Sequence, residues 1–310
     1  MASCNVMRGS KNGLEVKIRQ EKNPELLDID GDVCHHIHNA SKKFCEPFKY
    51  YVEGLFNDVF NDHRWSVDLR ELLQEVCSLL NISFTVSERF ISHRWLSCYD
   101  CALSSLRLWD AYQVFYFGFM TKEDMAFYLS EMIAIFRKHD VSLAAKERLK
   151  QIWKLNGSKN MTNDGKKRKK HIISKVIFQA KKSILTLSFY QSVLPLLKSY
   201  VVLFQSKQPM VHILADRQEQ LFRDFISCYV KQEEILNKTP SQLKTMPLTE
   251  DNGQFLKEKE MFVGNKAGHI LKNTNTADSI ALNFRRQVST ANIVICGDSQ
   301  MITNGQTLDL

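Results

Sequence analysis

Apolar residues recur at three- and four-residue spacing through most of this chain, the period that places them on one face of an α-helix. Phe44, Phe48, Tyr51, Val52, Leu55, Phe56 and Val59 form the first such series. Leu69, Leu72, Leu73, Val76, Leu79 and Leu80 form the second. Leu103, Leu106, Leu108, Tyr112 and Phe115 continue the pattern, and Tyr128, Met132, Ile135 and Phe136 repeat it. Ile184 to Phe204 is apolar around most of its circumference, which predicts a central, buried helix. Pro195 is expected to kink that helix, because proline lacks the backbone donor and its ring meets the preceding turn.

The two ends read differently. Residues 1–40 hold a short helix candidate from Gly13 to Gln20, then Leu26-Leu27-Asp28-Ile29-Asp30, which reads as a short strand ending at Gly31. Residues 237–310 are richer in Thr, Asn, Ser and Gly with weaker periodicity, and Asn292-Ile293-Val294-Ile295-Cys296 reads as a strand or a frayed end. A polar linker is expected from about 155 to 170. The pattern therefore predicts a mainly α chain: an irregular start (1–40), a helical body (41–236) and an irregular, partly ordered end (237–310).

Composition agrees with a chain that buries a real core, at 44% hydrophobic and 25% charged over 310 residues. The N-terminus shows no secretory signal, and neither Val114–Met120 nor Val193–Phe204, the latter broken by Lys198, reads as a membrane span. Eight Cys without a regular framework fit reduced thiols inside a cell.

Charge sharpens the picture. The formal net of +8 is concentrated: Arg137 to Lys182 carries 15 Lys and Arg against 3 Asp and Glu, a local +12, which leaves 27 bases and 31 acids elsewhere. The peak is Lys166-Lys167-Arg168-Lys169-Lys170, expected to be exposed because five adjacent cations repel one another in a core. Such a run can be an import signal docking on a nuclear import receptor, a set of phosphate contacts to nucleic acid, or a solvated loop without a partner.

Candidate chemistry is sparse. Cys34-His35-His36-Ile37-His38 and Cys98-Tyr99-Asp100-Cys101 supply metal-type ligands, but a zinc site needs four in paired sets, and neither string supplies a second pair at that spacing. The ligands of the first string are adjacent and point in different directions, and Cys98 and Cys101 read better as small packing residues on a helix. Asp28, Asp30 and Asp32 surround Gly31, and Asp32 reads as the N-cap of the next helix. Arg94 beside Trp95 suits base stacking, yet a buried indole at a helix start accounts for it better. No GxSxG, GxGxxG or phosphate-binding GxxxxGK[ST] string occurs.

Four strings in order resemble the transposases of hAT-type DNA transposons and the host genes derived from them. They are Cys4-Asn5-Val6-Met7-Arg8-Gly9 with Ser10 to Leu14, Leu27 to Asn39, His93-Arg94-Trp95-Leu96-Ser97 (similar to the family's TRW motif), and Leu203 to Leu214. The resemblance implies a large helical insertion attached to a ribonuclease H-like α/β core, here a remnant in residues 1–40. It also implies DNA cleavage by two metal ions on three acidic residues, whose negative charge holds the dications together. Matching on Asn5 and Met7 puts Ala2 and Ser3 at the family's Asp-Gly, where the Asp is a metal ligand. In the family's Cys-x-x-His motif His35 matches, with His38 beyond it, and Asp32 replaces the Cys. The acidic strands and the BED-type zinc finger of many relatives are not identifiable, and Met1 is open to being an internal start. The expectation is a nuclear, non-catalytic, transposase-derived protein with no catalytic residue, metal or cofactor. Its expected partners are DNA, an import receptor or a second copy of the chain, and not a membrane. The alternatives are a helical scaffold without DNA binding, or a fragment of a longer active transposase.

Overall fold

The computed structural model describes residues 13–22, 33–205, 210–244, 246–247, 253–275 and 277–297. Within them the chain is mainly helical. The only strand-like pairing among the described residues is one antiparallel bridge between Val230 and Phe255. The expected strand at 26–30 with Asp28 and Asp30, the expected N-cap Asp32, and the family-motif positions Ala2, Ser3, Asn5 and Met7 lie outside the described residues.

The longer helices among the described residues are α1 (Leu14–Glu21), α2 (Val33–Cys45), α3 (Tyr51–Arg64), α4 (Val67–Leu79), α5 (Ser97–Arg107), α6 (Trp109–Phe117), α7 (Lys122–Lys138), α8 (Leu143–Ser158) and α9 (Asn163–Ile173), then α10 (Ala180–Phe204), α11 (Leu214–Ile226), α12 (Asn265–Lys272) and α13 (Ser279–Gly297). Several starts are written in the sequence. Ser66, Thr121, Ser142 and Thr162 each accept a hydrogen bond from the backbone N–H three residues on, satisfying a donor the helix leaves open.

The series from Phe44 to Val59 is divided between two helices. Pro47 lies in a short 3₁₀ turn, and Lys49 and Tyr50 follow with φ of 54° and 52°, which reverses the chain before α3 begins. A π-helical turn, Ser174–Phe178, joins α9 to α10, with Gln179 N–H bonding to the Ser174 carbonyl. Pro195 does not break α10, which runs through it from Ala180 to Phe204.

α10 is the centre of one half of the core and packs on α2, α3, α5, α11, α12 and α13. It is long and apolar enough to cross a membrane, but half of its apolar window is buried in the protein, as befits a core helix. α6 centres the other half, with α4, α7, α8 and α9 around it. Aromatic rings join the layers: Phe189 of α10 lies 5.4 Å from Phe44 and 5.9 Å from Phe284.

The end of the chain departs from expectation. Asn292 to Cys296 is neither strand nor frayed end but part of α13. Ala281, Phe284, Val288 and Ala291 form its buried stripe, and Gln287 donates to the Pro47 carbonyl at 3.2 Å. Gly264 lets α12 start close against α10, since it has φ +82° and a Cβ there would come within 1.9 Å of the Ser192 hydroxyl.

Candidate nucleic-acid interface

The basic run is helical. Thr162 caps α9 by accepting from Gly165 N–H at 3.1 Å, so Lys166 to Lys170 lie in its first two turns and not in an open linker. Lys166, Lys167 and Lys170 are exposed and Arg168 is half-buried. Lys169 corrects the expectation of a uniformly exposed run: it is buried, and its ammonium donates to both carboxylate oxygens of Asp62 on α3. Burial is tolerated because a full counter-charge meets the ammonium and two aromatic faces flank it, Phe119 at 4.7 Å and Tyr116 at 5.7 Å. Burial draws the Lys169 pKa down, and Asp62 opposes that pull.

A polar network extends from this anchor. The Tyr116 hydroxyl donates to Asp62 at 3.0 Å, and a carboxylate can only accept, so the hydroxyl proton is committed. His63 Nε2, 3.0 Å from the same hydroxyl, must then be the protonated nitrogen and donate to it. Its Nδ1 is left buried without a partner, and burial lowers the His63 pKa to about 4.

Further contacts lay α9 antiparallel to α3. Arg168 is 3.9 Å from Asp62, His171 is 3.7 Å from Asp58, and the Lys175 ammonium lies 2.8 Å from where a Cβ on Gly54 would be. These interactions turn the remaining cations outward. Lys166, Lys167 and Lys170 form no ion pair among the described residues, so their charge is available to an external anion.

The metal-type strings are not brought together. Among the described residues no three His, Cys, Asp or Glu side chains are grouped to hold an ion. His35 is exposed on α2, whereas His38 Nδ1 accepts from Leu96 N–H at 3.4 Å. Cys98 and Cys101 are buried; burial pushes the Cys101 thiol up to about 12, and the Cys98 thiol points at Glu53. Protonated thiols are poor metal ligands. Arg94 is exposed, but Trp95 is buried at 5% exposure, with the edges of Phe90 and Tyr50 at 5.0 and 5.3 Å and the Lys42 ammonium 5.9 Å from its ring. That indole is a core residue and has no free face for a base.

Two polar centres escaped the sequence reading. Asp62 and His63 fall three and four residues after Val59, where the apolar register of α3 calls for core side chains, and that violation was the available signal. Glu53 is the other: it accepts from the Tyr190 hydroxyl at 3.0 Å and from the Cys98 thiol at 3.8 Å, and burial raises its pKa to about 7. No protein-family model, curated protein or solved structure matches the chain.

Proposed function

We propose that this chain is a non-catalytic, transposase-derived helical protein that binds nucleic acid through the phosphate backbone, using the outer face of α9. The carrying observation is the set of three exposed, unpaired cations, Lys166, Lys167 and Lys170, on a helix pinned to the core by Lys169 and Asp62. A fixed row of ammonium groups releases counterions from a polyanion without first paying to order itself. Residues 1–40 are read as the remnant of a ribonuclease H-like core, and Ala2 and Ser3 in place of the family's Asp-Gly support the loss of cleavage.

The same basic run supports nuclear residence. An import receptor that takes an extended basic peptide would have to unwind α9 and strip Lys169 from Asp62, so the folded helix favours the phosphate-binding role. The test is incubation of supercoiled plasmid with the purified chain in Mg²⁺ or Mn²⁺. The expected result is a mobility shift without nicking, and the shift disappears in a Lys166→Glu, Lys167→Glu, Lys170→Glu variant. Metal-dependent nicking abolished by changing one acidic residue would overturn the reading.

A further inference from the structure

Trp65 stands out among the four tryptophans. Trp95, Trp109 and Trp153 are 5%, 5% and 7% exposed, whereas Trp65 is 74% exposed. It follows the last residue of α3 as the helix's C-cap, and the Arg64 guanidinium carbon sits 4.3 Å from its ring centroid. A large indole left in water keeps its ring accessible to a flat ligand, and stacking there would recover part of the free energy that burial gives.

The ion pairs fix what lies beside it. On one side, Asp62 is held to Arg168 and Lys169; on the other, Asp68 is held to Lys159 at 4.0 Å. Trp65 follows α3 directly, and the antiparallel pairing of Asp58 with His171 and Asp62 with Arg168 carries the end of α3 level with the start of α9. That start of α9 carries Lys166 and Lys167. An exposed indole with a guanidinium on its ring thus ends the helix on which the basic α9 packs, at the level where α9 begins. Proteins that bind single strands use this combination, in which cations track the backbone and an aromatic ring stacks on an unpaired base. A base held within a duplex has both faces covered and cannot reach the ring.

We infer that Trp65, backed by Arg64, is a base-stacking platform at the end of the α9 basic face, and that the face therefore prefers single-stranded nucleic acid over duplex. This inference rests on the phosphate-binding reading above. It deepens that reading by naming the form of nucleic acid taken.

The other three indoles are buried and out of reach of a stacked base, so the change in intrinsic fluorescence on binding reports Trp65. Oligothymidine and a duplex of equal length are titrated into the full chain, with affinity read by anisotropy and stacking read by tryptophan quenching. The wild-type chain is expected to bind the single strand about ten-fold more tightly and to show quenching with it. Trp65→Ala abolishes the quenching and brings the preference close to one. Trp65→Phe retains the preference, and circular dichroism checks that both variants fold. Equal affinity for the two forms, or a preference that survives Trp65→Ala, overturns the stacking role; if the triple lysine variant still loses binding, the phosphate-binding reading stands. Failure of the wild-type chain to bind either form removes both.

Discussion

Two buried ionisable side chains, Glu53 and His63, hold opposite unfavourable states in check. Burial raises the Glu53 carboxyl to about 7, so the folded protein keeps a proton that the unfolded chain releases near 4.3. Stability from this group is greatest below the unfolded value and falls as pH rises towards 7. His63, lowered to about 4, does the reverse: the unfolded chain takes a proton near 6.5 that the folded protein refuses, so stability rises with pH between about 4 and 6.5. Over much of pH 4.5 to 6.5 the two slopes oppose each other. Glu53→Gln keeps an acceptor for Tyr190 and Cys98 but removes one slope. Urea unfolding of this variant should therefore show stability rising with pH through that window, and at pH 8 it should exceed the wild-type chain by on the order of 3–4 kcal/mol. Identical curves for the two proteins would contradict the assignment. The Lys169–Asp62 pair makes a second prediction at this scale. Asp62→Ala strands a buried ammonium and should cost about 3–5 kcal/mol, whereas Asp62→Ala combined with Lys169→Met should recover much of that loss in the same assay. Asp62 and Lys169 are 107 residues apart, which is why the run alone read as uniformly exposed.

At the scale of the elements, Thr162 decides whether the basic helix is formed before it meets a ligand. Eleven residues with four lysines and one arginine make a poor helix alone, because neighbouring cations repel and short helices are marginal in water. Thr162→Ala removes the cap and should cost about 1 kcal/mol, read as faster amide exchange confined to α9 and a small drop in unfolding midpoint. Unchanged exchange would show that packing on α3 alone holds the helix. Part of this architecture was legible, since the apolar period located α3, α4, α6, α7 and α10. The polar α9 read as a linker, because it carries few apolar residues to mark a face, and two further features were hidden. The reversal at Lys49 and Tyr50 uses left-handed backbone at residues that do not advertise it. In α13 the stripe is built on Ala281 and Ala291, small residues that dilute the periodic signal. Trp65 was invisible for a different reason, because only the fold shows that three of the four indoles are buried and one is not.

Across the whole molecule, the charge asymmetry has a structural basis. The +12 segment from Arg137 to Lys182 covers the end of α7, all of α8 and α9, the π turn and the start of α10, against a remainder of net −4. Part of that charge is matched internally, by Asp110, Asp62, Asp68, Glu75 and Asp278. Of the cations left outward, Lys166, Lys167 and Lys170 are clustered on α9, and a local cationic face predicts a salt-dependent interaction of defined stoichiometry. The most direct test is the slope of log affinity for a DNA duplex against log salt concentration. Replacing Lys166, Lys167 and Lys170 with glutamine should lower the magnitude of that slope by about 2–3, since each phosphate contact contributes about 0.9. A slope unchanged by the triple replacement, or affinity that does not depend on salt at all, would contradict a phosphate-binding α9.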